Sequence, residues 1–254
     1  MKKQDWWMFR VACLSPVVII DGLKALKKDG WIIIGACLAL CPFFFIDSVK
    51  AFYFEANAKM PVLSGFVKFA VLSTFGEVIA LRLRTGHYYE KGFGLWPRMI
   101  VWGFLGAWIV MAMRIFGKGV PVLCDTIFCT DGAVAAAMQG GLSWTKFGGA
   151  FAISLMQNTA FAPVFMLLHK VSDTHILEQG GRLKALVTPI PFSRILANLN
   201  WDVQWNFVFK KTIPLFWIPA HTVTFMLPPQ WQVLFAALLG VVLGILLAIA
   251  ANKK

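Results

Sequence analysis

The chain has 254 residues, of which 59% are hydrophobic, 15% aromatic and only 14% charged, and its mean hydropathy is +0.70. That apolar content, gathered in the long runs below, exceeds what a water-soluble core can hide, so the sequence reads as an integral membrane protein of the all-α class. A formal charge of +12 would suggest nucleic acid in a soluble chain, but the cations flank apolar runs, so the reading is no nucleic acid and membrane lipids as partners.

Residues 1–28 open Met-Lys-Lys, carry Trp6, Trp7 and Arg10, run apolar from Val11 to Ile20 and end on Lys24, Lys27 and Lys28. A signal peptide needs small residues at a cleavage site, where Asp21-Gly22-Leu23-Lys24 stands instead, so this stretch reads as an uncleaved interfacial helix. A short first span is expected over residues 31–46, extendable to 54, where Cys37 and Cys41 behave as small hydrophobes. These parts form an N-terminal region, 1–60, ahead of a transmembrane core, 61–254. Span two is expected over 62–83, with Lys68 near one end and Glu77 well inside. Span three is expected over 97–116, opened by a proline in a favoured first-turn position.

Residues 117–141 mix Pro121, two cysteines, Asp125 and Asp131 with a small-residue run at 133–137, which predicts a loop with a short helix. Cys124 and Cys129 flank that loop and would bridge if it faces an oxidising compartment. Span four is expected over 144–169, with Gln157 and Asn158 at its midpoint and Pro163 freeing the carbonyl of Thr159. Residues 171–206 read as an extramembrane connection.

Two stretches of 21 residues, 207–227 and 231–251, joined by Pro228-Pro229-Gln230, predict spans five and six, since such a helix just crosses a hydrocarbon core of roughly 30 Å. Span five begins with Lys210 and Lys211 and contains Pro214, Pro219 and His221; its prolines would leave the carbonyls of Lys210 and Leu215 without helical partners. Span six carries a small residue at every fourth position, Ala236, Gly240, Gly244 and Ala248. That is a packing face, either within the chain or between copies in a homo-oligomer.

Six spans place both termini on one side, and 18 of the 24 Lys and Arg residues fall on that side, which reads as the cytoplasm. Trp31, Trp96, Trp144, Trp205 and Trp231 stand at span ends, as an aromatic belt requires.

Polar groups at membrane depth are costly and so are functional candidates. Glu77, Gln157, Asn158, Thr159, His221 and Thr222 are the candidates for a pore or solute path. Each has a structural counter-reading: a carboxyl packed between helices, amides that glue helices together, or a neutral imidazole bonded to a neighbouring helix rather than a proton gate. Arg98, Lys210 and Lys211 either snorkel at the cytoplasmic boundary or form a cationic mouth attractive to anions. His169, Asp173 and His175 offer metal-type ligands without a fourth partner, so no metal and no cofactor is expected. Phosphate loops and nucleophile elbows are missing from the sequence, which therefore reads as no enzyme.

Four segments in order resemble the Mpv-seventeen and peroxisomal-membrane-protein-twenty-two family, in a divergent bacterial form. Phe75-Gly76-Glu77-Val78-Ile79-Ala80 is similar to that family's Gly-Asp motif, with Glu77 in the acidic place, and Gly103-Phe104-Leu105-Gly106 to its Gly-Phe-x-Gly. Gln157 to Pro163 is similar to the Asp-Gln…Ala-Pro segment, with Gln157 replacing the aspartate. Ile218-Pro219-Ala220-His221 is similar to the Val-Pro-x-His segment. The resemblance covers roughly residues 62–251. It implies a four-span helical core that conducts small solutes, here as a channel or narrow path for small, anionic metabolites in a bacterial inner membrane. The rival readings are a non-transporting scaffold or lipid-interaction protein, and a lipid-modifying enzyme built on His169, Asp173 and His175.

Overall fold

The computed structural model describes residues 29–32, 34–35 and 37–251, with the backbone alone for 247–251. The interfacial helix expected over residues 1–28 and the side chain of Ala248 lie outside the described residues.

Among the described residues every regular element is helical. A helical segment, Asp29–Phe45, ends in the short α1 (Pro42–Phe45) and is followed by α2 (Asp47–Lys59), α3 (Pro61–Thr85), α4 (Leu95–Phe128) and α5 (Ala133–Gln139). Next come α6 (Trp144–Ala160), α7 (Ala162–Glu178), a 3₁₀ turn Leu183–Leu186 and α8 (Phe192–Ala197). A continuous helical run closes the chain's irregular part: α9 (Trp201–Val203), a 14-residue π-helix Gln204–Trp217, and α10 (Ile218–Met226). The chain ends in α11 (Pro229–Ala251).

Three helices are long and apolar enough to cross a membrane: α3, α4 and the Pro229–Leu246 part of α11. Two bent pairs raise the number to five if each is one span: Asp29–Phe45 with α2, bent by 84°, and α6 with α7, bent by 46°. The described residues thus hold three to five span-like units, and the expected fifth span, 207–227, is not among them. The expected fifth span departs from a plain α-helix because its first part is wound as a π-helix, and the α geometry starts only at Ile218. Pro219 accordingly sits in the first turn of α10, at the change of winding. Pro214 lies inside the π-helix, so the carbonyl it deprives is five residues back, at Phe209, rather than at Lys210.

Local signals explain the other boundaries. Gly86, with φ 81°, closes α3 in the left-handed conformation that glycine adopts without cost. Ser143 caps α6, its Oγ accepting from the Lys146 N–H at 3.1 Å. Residues 117–128, expected as loop, continue α4, and Pro121 is buried within that helix. The expected connection after residue 169 likewise begins as helix, because α7 runs to Glu178.

The described chain separates into two compact units. One holds the residues up to Met60 together with Phe75–Tyr89 and the residues from Gly240 on; the other holds Pro61–Thr74 and Glu90–Leu239. Parts of α3 and α11 group with the N-terminal residues. In the first unit Gly76 and Gly244 bring two backbones together: a Cβ on Gly76 would meet Val241 Cα at 2.9 Å, and one on Gly244 would meet the Gly76 carbonyl oxygen at 3.5 Å. The small-residue face of α11 therefore packs within the chain at Gly244. Arg82 is paired with Asp29 at 3.1 Å in the same unit.

The second unit is built on interlocked large and small residues. Phe66 fills the space over Gly103 and Phe69 that over Gly106, while Val110 of α4 stands against Gly65 of α3. Phe69 then joins Met113, Val120, Ala150, Ile153, Phe225, Ala236 and Ala237 in one core cluster. The Gly-Phe-x-Gly segment thus has a packing cause: its two glycines are the seats of two phenylalanines. Gly106→Val would drive its side chain into Phe69, whose Cγ lies 2.6 Å from the new Cβ. We expect a loss of about 1–3 kcal/mol, read as a lower thermal midpoint of the purified protein in detergent, with Gly119→Val as an open-space control.

Candidate functional site

One face of α6 is buried throughout: Ala150, Ile153, Ser154, Gln157 and Asn158 follow each other at three- and four-residue spacing. The first two are apolar and belong to the core cluster; the last three are polar, at 0%, 3% and 1% exposure. Against this face lies α10, and the two helices pack more extensively than any other pair among the described elements.

The polar part of the contact is a hydrogen-bonded seam. Ser154 Oγ donates to the Ile218 carbonyl at 2.7 Å, and Thr222 Oγ1 donates to the same oxygen at 2.8 Å. Asn158 Nδ2 donates to the Ser154 carbonyl at 2.9 Å and lies 3.1 Å from His221 Nδ1. The Asn158 amide must present its nitrogen to the Ser154 carbonyl, because an oxygen there would face an oxygen. Its other N–H then points at Nδ1, which must accept, so His221 is the neutral tautomer with its proton on Nε2. This bond is of the kind the structural reading of His221 describes, an imidazole bonded to a neighbouring helix. The Trp217 ring, 5.1 Å away, covers the imidazole.

The seam leaves two buried atoms without hydrogen-bond partners, Gln157 Oε1 and Trp217 Nε1. Ser154 and Trp217 were not singled out by sequence, although Ser154 stands four residues before Asn158 on the same helix face. Thr159 is exposed and turns away, its Oγ1 bonded to the Leu155 carbonyl at 2.8 Å. Pro163 stands in the first turn of α7, beyond the bend. Glu77 is half-buried in the other compact unit.

The proposed cationic mouth is not a cluster of free charges. Arg98 is 7% exposed; its guanidinium pairs with Asp173, its Nε donates to the Phe93 carbonyl at 2.6 Å, and it lies over the Phe93 ring. Arg98 therefore ties the start of α4 to α7 instead of snorkelling. Lys210 is exposed near Trp205, with Nζ 3.5 Å from Asn206 Oδ1, and Lys211 is half-buried.

The His169, Asp173 and His175 set is helical rather than part of a flexible loop, and each member has separate work. His169 stacks on Trp102 with centroids 4.4 Å apart, Asp173 holds Arg98, and buried His175 directs Nε2 to the Ala185 carbonyl at 3.2 Å. Among the described residues no three His, Cys, Asp or Glu side chains are grouped to hold a metal. Cys124 and Cys129 are both free thiols. Cys124 is in the last turns of α4, whereas Cys129 is its C-cap, in the left-handed conformation. Asp125, between them, caps α5 instead: its carboxylate accepts from Thr130 Oγ1 at 2.6 Å and from the N–H groups of Val134 and Ala135 at 2.8 and 2.9 Å.

Comparison with protein-family models, curated proteins and solved structures yields no match to this chain.

Two energetic consequences follow from the geometry. In a double-mutant cycle, Asn158→Leu and His221→Phe should show a coupling of about 0.6–1.7 kcal/mol, the range of interhelical hydrogen bonds in lipid, measured by unfolding in mixed micelles. Arg98→Met should cost about 3–5 kcal/mol by stranding the Asp173 carboxylate, and Arg98→Met combined with Asp173→Leu should recover most of that loss in the same assay.

Proposed function

We propose that this chain is a multi-pass membrane protein that passes small solutes along the seam between α6 and α10. The observation that carries the reading is the position of the seam, at the interruptions of two helices. Gln157 and Asn158 lie within one turn of the 46° bend between α6 and α7, and His221 lies one turn past the change from π to α winding. Broken helices with polar side chains at their breaks are how membrane transporters expose backbone and amide groups to a substrate within the bilayer, and π segments concentrate at functional sites.

In this reading the seam is closed: its amide, imidazole and hydroxyl groups are bonded to each other, and opening means parting α10 from α6. The helical run from Trp201 to Met226 serves as a sixth span beside α3, α4, α11 and the two bent pairs. Six spans, with the excess of Lys and Arg on the terminal side, put both termini in the cytoplasm of a bacterial inner membrane. The resemblance to the Mpv-seventeen and peroxisomal-membrane-protein-twenty-two family belongs to the same proposal: two of its four segments, around Asn158 and around His221, are those that meet at the seam.

A scaffold role is the second reading, favoured by the Ser154–Ile218 and Asn158–His221 bonds, which are what helix-to-helix glue would look like. Flux through purified protein in liposomes separates the two. The natural chain should carry small organic solutes, and Asn158→Leu and His221→Phe should each reduce the rate at least tenfold while eluting as folded protein. A natural chain that carries nothing across a range of pH and voltage would leave the scaffold.

A further inference from the structure

The connection after α7 is pinned beside the start of a span-like helix. Gly181 sits so close to the loop before α4 that a Cβ on it would lie 2.6 Å from both the Gly92 oxygen and the Gly94 nitrogen. Directly after it the 3₁₀ turn Leu183–Leu186 packs against α4 and α7, with Ala185 buried and its carbonyl 3.2 Å from His175 Nε2. The apolar stretch of α4 that would lie in hydrocarbon starts after Arg98, at residue 99, and carries no charge until Arg114. Residues 92–94 thus stand a few residues before the apolar stretch, next to the exposed Trp96, at the level where aromatic side chains gather in a bilayer. The turn shares that level.

The outer side of the turn is amphipathic. Leu183, Leu186 and Val187 are exposed, Val187 to 83%, and among them stand Arg182 and Lys184, exposed as well. Six consecutive residues in a turn that rises about 2 Å per residue share one small surface. Neither cation's side chain is paired among the described residues, and Glu178, the carboxylate nearest in sequence, is taken by Arg194 through bonds of 3.0 and 2.5 Å. In the facing loop Glu90 and Lys91 offset each other, so the turn keeps its two positive charges. Apolar side chains interleaved with free cations at a bilayer edge match the headgroup zone, where the apolar groups enter the acyl boundary and the cations meet lipid phosphates. We infer that residues 182–187 form an in-plane membrane anchor that recognises anionic phospholipid headgroups in the leaflet where α4 begins. The inference rests on the multi-pass membrane part of the proposed function and is independent of solute passage.

The test uses the full-length protein in nanodiscs of phosphatidylcholine, with or without phosphatidylglycerol. 4-Trifluoromethylphenylalanine replaces Val187 or, as the mid-span reference, Phe104, which is 67% exposed on α4. A water-soluble gadolinium chelate and a lipid carrying a nitroxide just below its headgroup broaden the 19F signal from opposite sides. In the anionic discs the label at 187 should be broadened by the lipid nitroxide and spared by gadolinium. Each cation beside an anionic leaflet is worth roughly fivefold, so Arg182→Gln combined with Lys184→Gln should lower the ratio of embedded to water-facing label roughly 25-fold, and leaving out phosphatidylglycerol should do the same. If the double variant fails to fold, salt at about 1 M, which cuts the Debye length to about 3 Å, should reproduce its effect with both cations in place. Gadolinium broadening at 187 but not at 104 overturns the inference and leaves the turn in water, open to a protein partner. Lipid contact that is equal in both discs and in the double variant overturns the recognition of anionic headgroups. Gadolinium reaching both labels removes the membrane reading of the chain, and the inference with it.

Discussion

Asn158 has two amide hydrogens, and both are engaged: one by the Ser154 carbonyl of its own helix, the other by the His221 ring of α10. In water such a bond would be worth little, because either partner could turn to solvent. Here Asn158 is 1% exposed, so a released amide would be left unpaired away from water, and the bond decides more than its strength suggests. It sets the imidazole tautomer, fixes α10 on α6, and through α10 positions the π-helix before it and the turn into α11 after it.

Around this bond the second unit uses the two means by which helices associate in lipid, close approach and polar pairing. Close approach is the work of glycine: Gly65, Gly103 and Gly106 admit a valine and two phenylalanines between α3 and α4. A tighter case joins the loop before α4 to the loop after α7, where a Cβ on Gly181 would lie 2.6 Å from both the Gly92 oxygen and the Gly94 nitrogen. Gly94 and Gly181 also have positive φ, so glycine is required there twice over, by space and by backbone. The Arg98–Asp173 pair lies beside this junction, and Trp102 and Trp108 continue the α4–α7 contact through His169, Phe161 and Phe165.

Much of this was legible in the sequence because apolar length and charge placement are local properties. The spans read at 62–83, 97–116 and 231–251 lie inside the helices Pro61–Thr85, Leu95–Phe128 and Pro229–Ala251, and Asn158 and His221 stand out as polar residues in apolar runs. What sequence could not supply was direction. Thr159 and Asn158 are adjacent, yet one turns outward and the other inward; Arg98 and Lys210 look alike as boundary cations, yet one is buried with an aspartate and the other is exposed. Winding was hidden as well. Two prolines in residues 207–227 read as breaks in an α-helix, whereas a π-helix takes up Pro214 and delivers Pro219 to a first turn. Continuation of α4 through Pro121 likewise turned an expected loop with two flanking thiols into a helix that ends at the second of them, both thiols being free.

The wide winding of Gln204–Trp217 has a mechanical corollary. A π-helix turns less per residue and rises less than an α-helix, so each residue that passes from one form to the other rotates everything upstream about the axis and lengthens the rod. The downstream end is clamped, since Ile218 and His221 are held by Ser154 and Asn158. Rewinding would therefore leave the seam in place and swing Lys210 and Lys211 around the helix. In this helix, angular position at the basic end and hydrogen bonding at the polar end are two readings of one screw.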